Sequence, residues 1–295
     1  MFYLFSLLMG VLISVMIAVN GGLTSQYGVY AATVIIHIVG LLIITAVVLI
    51  KRERFFPKRF AWLLYLGGAI GVSTTVFNNF SFGRISVSAI LALGLLGQGV
   101  MGLLIDQYGL FGMQKHPFSK NKVFGFLLIL AGIASMINSF EVLAVIFSFI
   151  AGVSIVLSRT FNAKLADLTS VRVSTFYNYF VGLIVAIFVF MVLGISEIME
   201  HQLLFTDFEF ITAQNWHIYF GGALGVCVVL FLNILVVKIP AFYLTLLIFT
   251  GQVFSGVVID MIITQSVSSR NIIGGVLVTA GLCVNLLVDR KKMIS

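Results

Sequence analysis

One stretch of this chain occurs twice. WLLYLGGAIGV begins at Trp62 and leads to GQGVMGLLID, which ends at Asp106; WHIYFGGALGV begins at Trp216 and leads to GQVFSGVVID, which ends at Asp260. The two align at a constant offset of 154, and 16 of the 45 aligned pairs are identical. The chain has only 2 tryptophans and they fall on each other, so shared apolar composition does not account for the match. Upstream, an offset of 142 pairs Gly10 with Gly152, Asn20 with Asn162, Leu23 with Leu165, Thr33 with Thr175 and Gly40 with Gly182. Downstream, an offset of 149 pairs Gly125 with Gly274, Ala131 with Ala280 and Gly132 with Gly281. The offset changes only in polar connections, where insertions are tolerated. The first copy spans 2–140 and the second 142–290, an internal repeat that constrains the fold before any single residue is considered.

Composition identifies the solvent. The chain is 61% hydrophobic and 9% charged, with a mean hydropathy of +1.18, whereas a water-soluble domain carries about 25% charged residues. Apolar runs of about 20 residues match the thickness of a bilayer core. They predict ten spans, at 3–20, 29–50, 61–80, 86–105, 122–140, 142–161, 173–195, 215–237, 241–263 and 271–288, five in each copy. The runs lack the alternation of barrel strands, so the expected fold is all-α. The first run has no basic n-region and no small-residue cleavage signature, and it is expected to stay as a helix.

Cations set the orientation. Lys51, Arg52, Arg54, Lys58 and Arg59 fill the second connection, and Lys115, Lys120 and Lys122 the fourth. Arg159, Lys164 and Arg172 flank the sixth, and Arg290, Lys291 and Lys292 close the chain. The seventh connection is acidic, with Glu197, Glu200, Asp207 and Glu209. The positive-inside rule therefore predicts that both termini are cytoplasmic. Each copy crosses five times, so the second starts from the opposite face and the copies are expected to be inverted, with a binding hollow between them. The net charge of +7 follows from this topology and gives no support to nucleic-acid binding.

Polar residues inside spans are the candidates for chemistry, because an unpaired polar group in hydrocarbon is costly. Asn20 and Asn162 either rim a polar cavity or cap helix ends and re-entrant turns. Gln98 and Gln252 sit well inside the fourth and ninth spans, to hold a substrate or to bridge two helices. His37 lies ~12 Å into the second span at 1.5 Å per residue. It can carry a coupling proton or serve as a packing residue. Its repeat partner is Tyr179, beside Asn178; Asn78, Asn79 and Asn233 cluster toward the ends of the third and eighth spans. No carboxylate falls at the midplane, which argues against a proton-for-cation antiporter and favours a neutral, zwitterionic or weakly polar substrate.

Interfacial charges suggest gates. Asp106 ends the fourth span, with Lys238 in the connection before the ninth; Asp260 ends the ninth, with Arg84 in the connection before the fourth. The repeat exchanges the pair Asp106–Lys238 with the pair Asp260–Arg84, so the two are expected to close opposite faces alternately. No metal cluster, phosphate loop or nucleophile–base pair occurs, so neither an enzyme nor a cofactor is expected. Without an ATP-binding motif, pumping has to draw on ion or substrate gradients.

These residues also carry a family resemblance. NGGLTSQYG (Asn20 to Gly28), GGAIG, GQGVMGLLIDQYGLFG (Gly97 to Gly112) and the pair Gly125 and Gly132 resemble the YdcZ-type family of the drug/metabolite transporter superfamily, over essentially the whole chain. The resemblance implies a bacterial inner-membrane carrier of a small molecule, with five-helix inverted repeats around a central cavity. In relatives one repeat can be the whole protein, and this chain looks like a fused pair. The second copy departs from the pattern: GQVFSGVVIDMI (Gly251 to Ile262) lacks the YGLFG continuation, and SRTFNAKL (Ser158 to Leu165) stands opposite IAVNGGL. Export of a small metabolite or drug-like molecule is the expected function, with a proton as coupling ion and a homodimer as compatible partners. A membrane scaffold or accessory subunit is the alternative, and it would not need a duplicated polar lining.

Overall fold

The computed structural model describes residues 2–55, 61–112, 120–137, 141–195, 215–236, 241–266 and 268–294. Among these residues there are ten α-helices and no strand, only an isolated bridge between Phe82 and Ile85. They are α1 (Phe2–Tyr27), α2 (Val29–Ile50), α3 (Leu66–Ser81), α4 (Val87–Tyr108), α5 (Val123–Met136), α6 (Val142–Leu168), α7 (Val171–Val189), α8 (Gly221–Val236), α9 (Ala241–Thr264) and α10 (Ser269–Ile294). Seven of them are long and apolar enough to cross a membrane; α3, α5 and α8 are shorter. Both α3 and α8 are preceded by 3-10 turns that start at the repeated tryptophans, Trp62–Tyr65 and Trp216–Phe220.

Local chemistry sets several helix ends. Gly28 separates α1 from α2 with φ 81, a conformation that costs a residue without a Cβ little. Ser86 caps α4 by accepting from the Ala89 amide at 3.3 Å, and Gly109 closes that helix with φ 64. Ser170 caps α7 by accepting from Val173 at 3.1 Å. Two expected ends are corrected. The spans predicted to stop at 20 and 161 lie inside α1 and α6, which run on to Tyr27 and Leu168. Thr24 and Ser25 donate back to the carbonyls of Asn20 and Gly21, which keeps α1 helical through its glycines. Asn20 and Asn162 are therefore mid-helix residues, and the reading of them as helix caps or re-entrant turns does not hold.

The helices pack as two compact units, neither of which is a sequence repeat. Unit 1 comprises Met1–Val15, Ser81–Val153 and Phe231–Ser295; unit 2 comprises Met16–Phe80 and Ser154–Leu230. Each draws on both copies of the duplicated sequence. The core of unit 1 gathers on α4, through Ala89, Ile90, Ala92 and Leu93, against Ile129 and Ile133 of α5, Val253 of α9 and Val278 of α10. α4 is the most enclosed long helix: 56% of its span is buried, against 33% for α9 and α10. In unit 2, Ile44 and Val48 of α2 pack on Val173, Phe176 and Tyr177 of α7, with Leu165 and Val226. A second cluster joins Leu23, Tyr27, Ala32, Ile36 and Ile218.

Candidate functional site

Glycines bring the polar candidates together by removing side chains from helix crossings. In unit 2, α2 crosses α7 with the His37 ring on Gly182 and the Tyr179 ring on Gly40. A Cβ at Gly182 would lie 2.6 Å from His37 Cδ2, and one at Gly40 would overlap the tyrosine ring. His37 Nδ1 stands 2.8 Å from the Thr33 carbonyl. A carbonyl only accepts, so Nδ1 carries its hydrogen. Thr33 Oγ1 donates to the Val29 carbonyl at 2.8 Å and accepts from Asn79 Nδ2 at 3.2 Å. All three polar side chains are buried. The His37 and Tyr179 rings face each other at 5.8 Å between centroids and 56°. Tyr179 reaches α8, its hydroxyl 3.4 Å from the Gly222 carbonyl.

The matched asparagines also sit on matched glycines. Asn162 lies over Gly67 and Asn20 over Gly221, residues that the offsets 142 and 154 exchange. The second copy builds a polar network there. Asn162 Nδ2 donates to Asn178 Oδ1 at 2.8 Å and to Ser158 Oγ at 3.3 Å. Ser158 Oγ donates to the Gly67 carbonyl and Ser174 Oγ to the Asn162 carbonyl, both at 2.7 Å. In the first copy the residues equivalent to Ser158, Ser174 and Asn178 are Met16, Ala32 and Ile36, so that network has no counterpart. Asn20 is buried there and its Oδ1 has no hydrogen-bond partner among the described residues.

Unit 1 repeats the device around the glutamines. A Cβ at Gly10 would lie 2.8 Å from the Gln252 amide, and one at Gly152 would lie 3.0 Å from the Gln98 amide. Ser14 Oγ is 2.8 Å from the Gln252 carbonyl. Gln252 is buried, with no partner for its Oε1 among the described residues, whereas Gln98 is half-buried. Helices α5 and α10 cross with Gly125 on Gly281 and Gly132 on Gly274, where added Cβ atoms would lie 2.6 and 2.7 Å from the facing carbonyls.

Asp260 and Arg84, one of the expected gate pairs, line a cavity of about 330 Å³ in unit 1. Asp260 is only 6% exposed and joins three helices. Its Oδ1 accepts from the Val87 amide at 2.6 Å. Its Oδ2 accepts from the Ser88 amide at 3.0 Å, from Ser88 Oγ at 2.5 Å and from Asn271 Nδ2 at 3.2 Å. A carboxylate at a helix N-terminus is a favoured arrangement, since the first amides lack intrahelical acceptors. The other pair lies outside the described residues, at Lys238 and at the side chain of Asp106, as does the side chain of Asn233.

Sequence reasoning missed the hydroxyls that complete these clusters. Ser158 stands one turn before Asn162 and Thr33 one turn before His37, a four-residue spacing that could have signalled a shared face. It also missed the ion pair of Glu53 with Arg172. Glu53 accepts from Arg172 Nε and from Ser170 Oγ, each at 2.5 Å. Burial pushes its carboxyl up, but hydrogen bonds from Ser170 and Arg172 and the guanidinium charge hold it, on balance, below the ordinary 4.5. Among the described residues no three His, Cys, Asp or Glu side chains gather in a metal-binding group.

Comparison with known proteins gives the family. The model of the family described as "Putative inner membrane exporter, YdcZ" matches residues 1–135 and again residues 143–284. A solved structure described as "Crystal structure of protein" has a similar fold, with a TM-score of 0.63, 13% identity, and coverage of 98% of this chain and 97% of that one. No curated protein matches the sequence. Two successive family matches, on an all-helical chain rich in membrane-length apolar helices, make the assignment: the chain belongs to the YdcZ family of the drug/metabolite transporter type and is a multi-pass inner-membrane protein.

Proposed function

We propose that this chain is a secondary carrier that exports a small metabolite or drug-like molecule by alternating access, built from two inverted five-helix repeats with both termini in the cytoplasm. One observation carries the reading: equivalent helices of the two copies cross antiparallel, through contacts that the repeat exchanges. On α2 and α7, His37 meets Gly182 while Gly40 meets Tyr179; on α5 and α10, Gly125 meets Gly281 while Gly132 meets Gly274. Numbers rise along one helix as they fall along its equivalent. Equivalent antiparallel helices are related by a twofold perpendicular to their axes. For helices that cross a bilayer that axis lies in the membrane plane, the symmetry of inverted-repeat carriers.

The substrate-facing polar groups in this reading are Asn20, His37, Asn79, Gln98, Asn162 and Gln252, with Asn178, Tyr179 and Asn233 beside them. The orphaned acceptors of Asn20 and Gln252 support this role, because a buried acceptor without a partner is unfavourable unless a ligand or water fills it. The pairs Asp260–Arg84 and Asp106–Lys238 act as the outer and inner gates. Because Asp260 grips the start of α4, opening the outer gate would involve parting α9 from α4.

The test is flux. Purified protein is reconstituted into liposomes loaded with a metabolite panel, and the compounds lost over time are read by mass spectrometry. Loss of at least one compound beyond protein-free vesicles is expected, with or without an imposed proton gradient. Retention of the whole panel under every gradient would argue for the scaffold alternative.

A further inference from the structure

We infer that the cavity beside Asp260 is itself a binding site, for a small zwitterion with an apolar body. The cavity has a built polar end. Asn271 is 3% exposed; its Nδ2 is committed to Asp260 Oδ2, and its Oδ1 is buried without a hydrogen-bond partner among the described residues. Asp260 Oδ1 accepts one bond, from Val87, and a carboxylate oxygen can take a second. A carboxylate oxygen with open capacity, beside the Asn271 amide, is suited to an ammonium group. The amides of Val87 and Ser88 fix the carboxylate at the N-terminus of α4, so it is positioned before any ligand arrives.

Arg84 lines the same cavity and supplies the opposite charge, a planar donor matched to a carboxylate. The rest of the wall is largely apolar, with Phe82, Ile85, Met136, Val257, Met261 and Ile263. At about 330 Å³ the space is near the lower end of the roughly 300–1,000 Å³ typical of small-ligand pockets, which suits a small occupant. An ammonium toward Asn271 and Asp260, a carboxylate toward Arg84 and a short aliphatic body match these parts of the lining, and Ser86, Thr264, Ser266 and Ser268 complete the wall. This site is separate from the glycine-seated clusters of unit 2, and ligand binding to it needs no transport.

Calorimetry on the full-length protein in detergent tests the proposal, with L-norleucine as the zwitterion and n-pentylamine and hexanoate as one-ended analogues. Norleucine should bind saturably at one site per chain, and each analogue at least about tenfold more weakly. Arg84→Gln should weaken norleucine by a similar factor and leave pentylamine unchanged; Asn271→Leu should abolish binding of both. Arg84 is exposed, so its variant reports even if Asn271→Leu does not fold. No saturable binding of norleucine up to about 10 mM, analogues that bind equally well, or an unaltered Arg84→Gln variant would each overturn the site. Flux is measured separately, so loss of this site leaves the carrier reading standing, and absence of flux leaves the site standing.

Discussion

Asn20 and Asn162 occupy equivalent positions in the repeat but have unequal surroundings, so the loss of each side chain should have a different cost. Asn162 donates to half-buried Asn178 and buried Ser158, so Asn162→Leu leaves both acceptors short of a donor and should cost about 1–3 kcal/mol. Asn20 has a buried Oδ1 with no partner among the described residues, so Asn20→Leu should cost much less, while reducing flux if that oxygen meets substrate. Thermal melts and liposome flux on the two variants give the comparison; equal melting losses would contradict it. The paired asparagines were visible in the sequence. Their asymmetry was there too, in Met16, Ala32 and Ile36 opposite Ser158, Ser174 and Asn178, but only a structure shows which hydroxyls reach them. Glu53 with Arg172 was not legible, since nothing in the spacing links residues 119 apart. Their side chains are 20% and 40% exposed, so the pair contributes about 0.2–1 kcal/mol. Because the folded carboxyl titrates below its ordinary value, the contribution is complete above pH 4.5 and fades as the pH falls through the lower folded value. The melting difference between the native chain and Glu53→Gln should be present at pH 7 and shrink in acid; a difference that grew in acid would contradict the assignment.

At the scale of the element, glycines decide which helices meet. Gly10 and Gly152 are repeat equivalents, and a Cβ at either would overlap a facing backbone carbonyl, of Ile248 or Gly94. Backbone cannot rotate away as a side-chain tip can, so Gly10→Ala and Gly152→Ala should each cost at least about 1–3 kcal/mol. Among the described residues nothing lies within 4 Å of a Cβ added at Gly102, and Gly102→Ala should be neutral or slightly stabilising. Melting curves of the three variants test this; a Gly152→Ala protein as stable as Gly102→Ala would contradict the crossing geometry. The number and order of the helices were readable from apolar runs, because lipid imposes a length on each. Their ends were less readable: NGG looks like a break, yet hydroxyls at Thr24 and Ser25 carry α1 onward to Gly28.

For the whole molecule, duplication was the most legible property and compactness the least. The compact units each combine helices from both copies, which no reading of linkers suggested, because the chain crosses between units inside α1, α6 and α8 and at the end of α3. Small residues at matched positions explain it: Gly10 needs Gly251, and Gly152 needs Gly94 and Gly97's helix, so each copy finds its closest packing on the other. The repeat also carries into local backbone, since Phe111 after α4 and Gln265 after α9, 154 apart, are left-handed at φ 57 and 52.

The inverted relation of the copies is tested most directly by labelling their equivalent connections from each side of a membrane. In a chain with Cys227 and Cys283 replaced by serine, Asn121→Cys reports the connection after α4 and Ser266→Cys the connection after α9; both native residues are exposed. With a membrane-impermeant maleimide on intact cells and on inside-out vesicles, Ser266→Cys should label only from outside and Asn121→Cys only from the cytoplasm. Labelling of both from the same side would contradict the inversion, and with it the account of this chain as an inverted-repeat carrier.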